Sequence, residues 1–115
     1  MNSGLKRLPA RFYRSDGGRE PVREWLKSLT PEDRKVIGED LKDVESWPIG
    51  MPLVRSLCGG LWEVRSSLAG GRIARAIFCV EHGCMVLLHG FIKKTQKTPK
   101  HDLDLAAMRR KGLGT

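Results

Sequence analysis

Apolar residues recur every three to four positions as far as Val44 and every two positions from Leu61 onward, with "PIGMP" between the two regimes. That one change of period places helices first and strands afterwards. In the early half Val22, Trp25, Leu26 and Leu29 fall at i, i+3, i+4 and i+7, a single helical face, and Pro21 suits a first turn. A second stripe, Ile37, Leu41 and Val44, follows Thr30 as a cap and Pro31 at the first helical position. Asp33 adds charge favourable to the positive end of the helix dipole, and Pro48 is expected to stop the helix. Two helices meeting at Thr30–Pro31 make a helical hairpin.

Beyond "IGMP", "LWEVRS" (61–66) alternates Trp62 and Val64 against Glu63 and Arg65. "RIARAIFCV" (72–80) sets Ile73, Arg75, Ile77 and Cys79 on one face and Ala74, Ala76, Phe78 and Val80 on the other. "MVLLHGFIKK" (85–94) is apolar enough for an interior strand, in which His89 alternates with Leu87 and Phe91. The connections "SLAGG" and "EHG" are short and carry glycine, as hairpins require. "ARFYRS" (10–15) reads as a first strand broken by "DGG", and "DLDLAAMRR" as a closing helix with Asp102 near its start and Arg109 and Arg110 near its end. The expected order is β-α-α-β-β-β-α: an α+β fold with an N-terminal strand, a helical hairpin packed on a curved antiparallel sheet, and a short C-terminal helix. At 115 residues the chain is expected to be one domain, 1–115.

Charge narrows the partners. Lys and Arg number 21 against 13 Asp and Glu, a formal charge of +8, which attracts polyanions such as nucleic acid, an anionic membrane surface or an acidic protein. Three cysteines without CxxC spacing, and only three histidines, give neither a disulfide framework nor a zinc pattern. The opening "MNSGLKRLPARFYRSD" carries charge but no apolar h-region, and no apolar run nears the roughly 20 residues of a membrane span. A cytoplasmic protein without cofactor, metal or membrane partner is expected.

Within the strands, charge stands where an economical sheet would avoid it. Glu63 and Arg65, then Arg75, then Lys93 and Lys94 end up on or beside three consecutive strands, and like charges facing each other cost stability. Such departures from the cheapest fold concentrate at functional sites. Plainer roles stay open: Glu63 and Arg65 pairing with neighbouring strands, Arg75 in a buried bridge to Glu63, Lys93 and Lys94 guarding a sheet end. His82 reads as exposed turn, His89 as a satisfied interior histidine rather than a base, and His101 as an aid to proton transfer. With RNA, a cluster of Arg and Lys can hold non-bridging phosphate oxygens and exchange protons during attack by a ribose 2′-oxygen. Arg72, Lys97, Lys100, Arg109 and Arg110 are the remaining candidates for holding the RNA backbone.

"GGLWEVRS", "RIARAIFCV" and "VLLHGFIKKTQKTP", followed by a helix containing "DLDLAAMRR", resemble the phage-derived HigB branch of the RelE/ParE toxin superfamily. The resemblance covers nearly the whole chain, and its most specific part is "GFIKKTQKTP" downstream of "GLWEVR". It implies a RelE-like fold, and a ribosome-dependent mRNA endonuclease acting by metal-independent 2′-OH attack. The protein would be the toxin of a type II toxin–antitoxin pair, neutralised by a helix-turn-helix antitoxin in a toxin–antitoxin hetero-oligomer. Carried onto this sequence, Arg75 matches the second-strand arginine proposed to bind the scissile phosphate, Arg65 the basic position of the preceding strand, and Lys93 and Lys94 the basic strand end. Glu63 has a counterpart of unsettled role. The chain lacks the late tyrosine of the RelE pattern, its one tyrosine being Tyr13, which leaves Lys93, Lys94 and His101 as substitutes in acid–base chemistry. Two other functions fit the same features: a ParE-like non-catalytic inhibitor of a protein such as DNA gyrase, and a basic RNA-binding module.

Overall fold

A computed structural model describes residues 7–46, 54–95 and 97–113. The elements are β1 (Ala10–Phe12), α1 (Pro21–Ser28), α2 (Pro31–Ser46), β2 (Val54–Ser56), β3 (Trp62–Ser67), β4 (Ile73–Glu81), β5 (Cys84–Lys93) and α3 (Lys100–Lys111). The strands form one sheet in the order β1-β5-β4-β3-β2. This is an α+β, RelE-like arrangement. Two details depart from the sequence reading. β1 joins β5 in parallel, so the sheet is mixed rather than wholly antiparallel. β2, three residues long, extends the other edge by pairing with β3; so short a run carries no readable alternation.

The helical hairpin forms as its stripes require. Val22, Ile37, Leu41 and Val44 are buried, and Trp25, Leu26 and Leu29 pack against them. The Thr30 hydroxyl accepts a hydrogen bond from the Asp33 amide at 3.3 Å, capping α2. Pro48, the expected stop, lies outside the described residues. The hairpin covers the sheet face made by Val64, Ala74, Ala76, Phe78, Met85 and Leu87. α3 covers the opposite face, where Leu61, Ile77, Cys79, Val86, Leu88, Phe91 and Ala106 form a second core. No helix among the described residues is long and apolar enough to cross a membrane.

One irregularity decides what each face carries. Ile77 pairs with His89, but Phe78 pairs with Leu87, so Leu88 is an extra residue on β5. A bulge resets the alternation beyond it. Leu87 therefore stays in the hairpin core, while Leu88, His89 and Phe91 turn toward α3. The shared face expected for Leu87, His89 and Phe91 is corrected accordingly. At the other end of β5 the loop His82–Gly83 has positive φ at both residues, 52° and 73°, the twist that suits a two-residue hairpin. His82 is exposed there, as expected.

Candidate functional site

The register brings the strand charges together. Arg65 and Arg75 are directly opposite each other, Glu63 faces Arg55 across the outer pair, and Lys93 faces Ile73. With side chains alternating along each strand, Arg55, Glu63, Arg65, Arg75 and Lys93 share the face that carries α3. Lys94 follows the end of β5 and is exposed.

Two charges at the centre are completely buried, Glu63 and Arg75. The Arg75 guanidinium donates to the carbonyl oxygen of Lys97 at 3.2 Å and to that of Thr95. It lies 5.8 Å from the centre of the Phe91 ring, a cation–π distance. Arg75 Nε has no hydrogen-bond partner among the described residues. Burial pushes the guanidinium below its ordinary range; Glu63 opposes that shift, and the positive charges of Arg65 and Arg55 add to it. The Glu63–Arg75 bridge that the sequence left open is thus an electrostatic balance, while the hydrogen bonds of Arg75 go to the backbone after β5. Glu63 Oε2 accepts from the Thr98 hydroxyl at 2.5 Å, and Oε1 sits 3.9 Å from Arg65 Nε. Carboxylate and guanidinium together fasten the segment carrying Lys97 and Thr98 over the sheet. Arg65 is 23% exposed, so its charge reaches the surface where that of Arg75 does not.

Further along the same face His89 Nε2 lies 2.6 Å from Asp102 Oδ1, and Lys93 Nζ lies 4.0 Å from Asp102 Oδ2. His89 is half-buried, and its partner is an acid on α3. A cavity of about 310 Å³ opens beside this cluster, lined by Arg55, Leu57, Lys97, Thr98 and Leu103. A larger one, about 430 Å³, lies toward the C-terminal end of α3, around Leu61, Glu81, Ala107 and Arg110, away from the buried charges.

Several proposed backbone-holding residues lie elsewhere. Arg72 reaches the helical hairpin, where its fork grips Asp33 at 2.8 and 3.0 Å; the hydrogen bonds from Arg72 hold the Asp33 carboxyl below the usual range. Arg109 donates to the Leu88 carbonyl at 2.8 Å and stacks over Tyr13, and Arg110 donates to the Gly59 carbonyl. These three arginines fasten elements together and stand apart from the Arg65–Arg75–Lys93 group. Lys97 is exposed beside the cluster, and Lys100 is exposed in an i,i+4 pair with Asp104 at 2.8 Å. His101 is exposed on the first turn of α3, one position from buried Asp102 and so on a different side of the helix.

Sequence reasoning missed Arg55, Thr98 and Asp102. Arg55 needed β2, and Thr98 gave no signal in a polar loop. Asp102 did leave a trace: it precedes Ala106 by four residues, an acid on the one stripe of α3 that is buried.

A family model described as "Phage derived protein Gp49-like (DUF891)" matches residues 24–111, which takes in α2 to α3 and every charged group just described. No curated protein matches the chain. With the match covering more than three quarters of the sequence, and a RelE-like sheet and helices around it, the chain belongs to the phage-derived Gp49-like family, a RelE/ParE-like toxin family.

Proposed function

We propose that this protein is a HigB-type toxin of a type II toxin–antitoxin pair, cutting mRNA on the ribosome and so arresting translation. The observation that supports this most strongly is the direct opposition of Arg65 and Arg75 on a face that also carries Arg55 and Lys93. Facing guanidinium groups destabilise a sheet unless an anion completes them, and two buried carboxylates, Glu63 and Asp102, against Arg55, Arg65, Arg75 and Lys93 leave a net positive site. Arg65 and Lys93, which reach the surface, face the scissile phosphate, Arg65 taking its non-bridging oxygens. Lys94, Lys97 and Lys100 steer the flanking backbone. Arg75 contributes its field from beneath and anchors the Lys97 segment, so its part in catalysis is to position that segment and to stabilise developing charge. DNA lacks the 2′-hydroxyl that this chemistry consumes. The partners are translated mRNA and a helix-turn-helix antitoxin whose acidic segment covers the basic face; the setting is the cytoplasm.

The test is mapping of RNA 5′ ends after brief induction, in cells and in purified translation reactions with and without ribosomes. New 5′ ends within translated mRNA, lost in Arg65→Ala and Lys93→Ala proteins that remain folded, are the expected result. One observation favours a second reading, the non-catalytic inhibitor of a protein target: Arg75 is fully buried, its guanidinium occupied by backbone carbonyls. Intact mRNA with inhibited DNA supercoiling is the outcome that selects it.

A further inference from the structure

The bulge at Leu88 turns His89 out of the hairpin core and onto the cationic face. Bulges recur beside active sites because they re-aim one side chain without disturbing the rest of a strand. Two contacts then fix the ring: Asp102 Oδ1 at 2.6 Å from Nε2, and Phe91 stacked at 5.5 Å between centroids. An apolar pair would join α3 to β5 without desolvating a carboxylate, so packing alone does not call for an imidazole here. Asp102 Oδ2 has no hydrogen-bond partner among the described residues, and Lys93 Nζ lies 4.0 Å from it. A histidine bonded to a carboxylate through Nε2–H presents Nδ1 as its proton acceptor, and the carboxylate stabilises the imidazolium formed when Nδ1 is protonated.

We infer that His89, oriented by Asp102, is the general base of the cleavage reaction, with Lys93 as the acid; this rests on the endonuclease reading above. His89 Nδ1 takes the proton of the ribose 2′-hydroxyl as O2′ attacks the adjacent phosphorus. The O2′–P bond forms, the P–O5′ bond breaks, and the leaving O5′ takes a proton from the Lys93 ammonium. The products are a 2′,3′-cyclic phosphate and a 5′-hydroxyl, and solvent restores both protonation states. Asp102 from α3 contacts this ring, and Arg75 from β4, Glu63 and Arg65 from β3, and Lys93 from its own strand are the charged groups on the same sheet face.

The decisive variant is His89→Gln. Its amide N–H can still donate to Asp102 but cannot exchange a proton. Cleavage of a translated mRNA on purified ribosomes should fall by about 100- to 10,000-fold, with ribosome co-sedimentation and thermal midpoint unchanged. Wild-type cleavage should decline with unit slope toward acid pH, a limb absent from the residual rate of His89→Gln. A message carrying one 5′-bridging phosphorothiolate, whose sulfur leaves without protonation, should restore cleavage to Lys93→Ala and not to His89→Gln. Wild-type cutting with His89→Gln unimpaired overturns the assignment alone. Absence of cutting by the wild-type protein overturns the nuclease reading and this assignment with it. If His89→Gln does not fold, Lys93→Ala on the phosphorothiolate message decides: an acid limb of unit slope supports the histidine base, and a flat profile overturns it.

Discussion

Replacing Gly90 with alanine probes how the hairpin is seated against the strand that carries His89. A Cβ at position 90 would stand 2.3 Å from both Cε3 and Cζ3 of Trp25 and 2.9 Å from Cδ2. Carbon atoms in contact need about 3.5 Å, so the indole must retreat by roughly 1.2 Å from a packed position on the core. Overpacking of this kind costs about 1–3 kcal/mol, offset by about 0.5–1 kcal/mol because alanine suits a strand better than glycine. The net loss should be about 1 kcal/mol and at most about 2.5 kcal/mol, a fall of roughly 4–8 °C in thermal midpoint for each kcal/mol in a domain near this size. The sign should reverse in a Trp25→Ala background, where the same substitution meets no ring and stabilises by about 0.5–1 kcal/mol. Urea denaturation of the wild type, both single variants and the double variant measures the coupling. Equal effects of Gly90→Ala in the two backgrounds would refute the claim that Trp25 is what position 90 accommodates.

Glu63→Ala should destabilise by about 3–5 kcal/mol in the same denaturation assay, because it leaves Arg75 buried without the carboxylate that most favours its charge, whereas Glu63→Gln keeps an acceptor for Thr98 and should cost less. For the same reason Arg75→Ala should lower stability as well as activity, so the phosphate-facing role is better read from Arg65→Ala. Acidification should remove the Asp33–Arg72 contribution: Asp33 is held below its ordinary range, so its stabilisation is present above the unfolded value and is lost as pH falls through the folded one. Arg72→Ala should flatten that part of the acid unfolding curve. Cys58 is exposed while Cys79 is buried, with its thiol pushed up by burial, so an alkylating reagent should label Cys58 in the native protein and Cys79 only after unfolding.

The helices and long strands were legible in the sequence because each buries one face. Val22 to Leu29 and Ile37 to Val44 repeat at the helical period, and Trp62 to Val80 alternate at the strand period; local geometry alone sets both periods. The gathering of Arg65, Arg75 and Lys93 was legible for the same reason, since alternation within an antiparallel meander leaves few ways to arrange them. What the sequence left open were distances and exchanges between distant segments. No periodicity announces that β1 runs parallel to β5, or that Arg72 leaves the strand charges for Asp33 on α2. Nor does it reveal that Arg75 spends its hydrogen bonds on the carbonyls of Thr95 and Lys97. The clearest case is His89. Period two placed it with Leu87, and one unpaired residue in the β4–β5 ladder moved it across the sheet to Asp102. The amino-acid order determined which residues alternate; the pairing of strands determined where that alternation slips, because a bulge is a property of two strands' hydrogen bonds and not of either one's side chains.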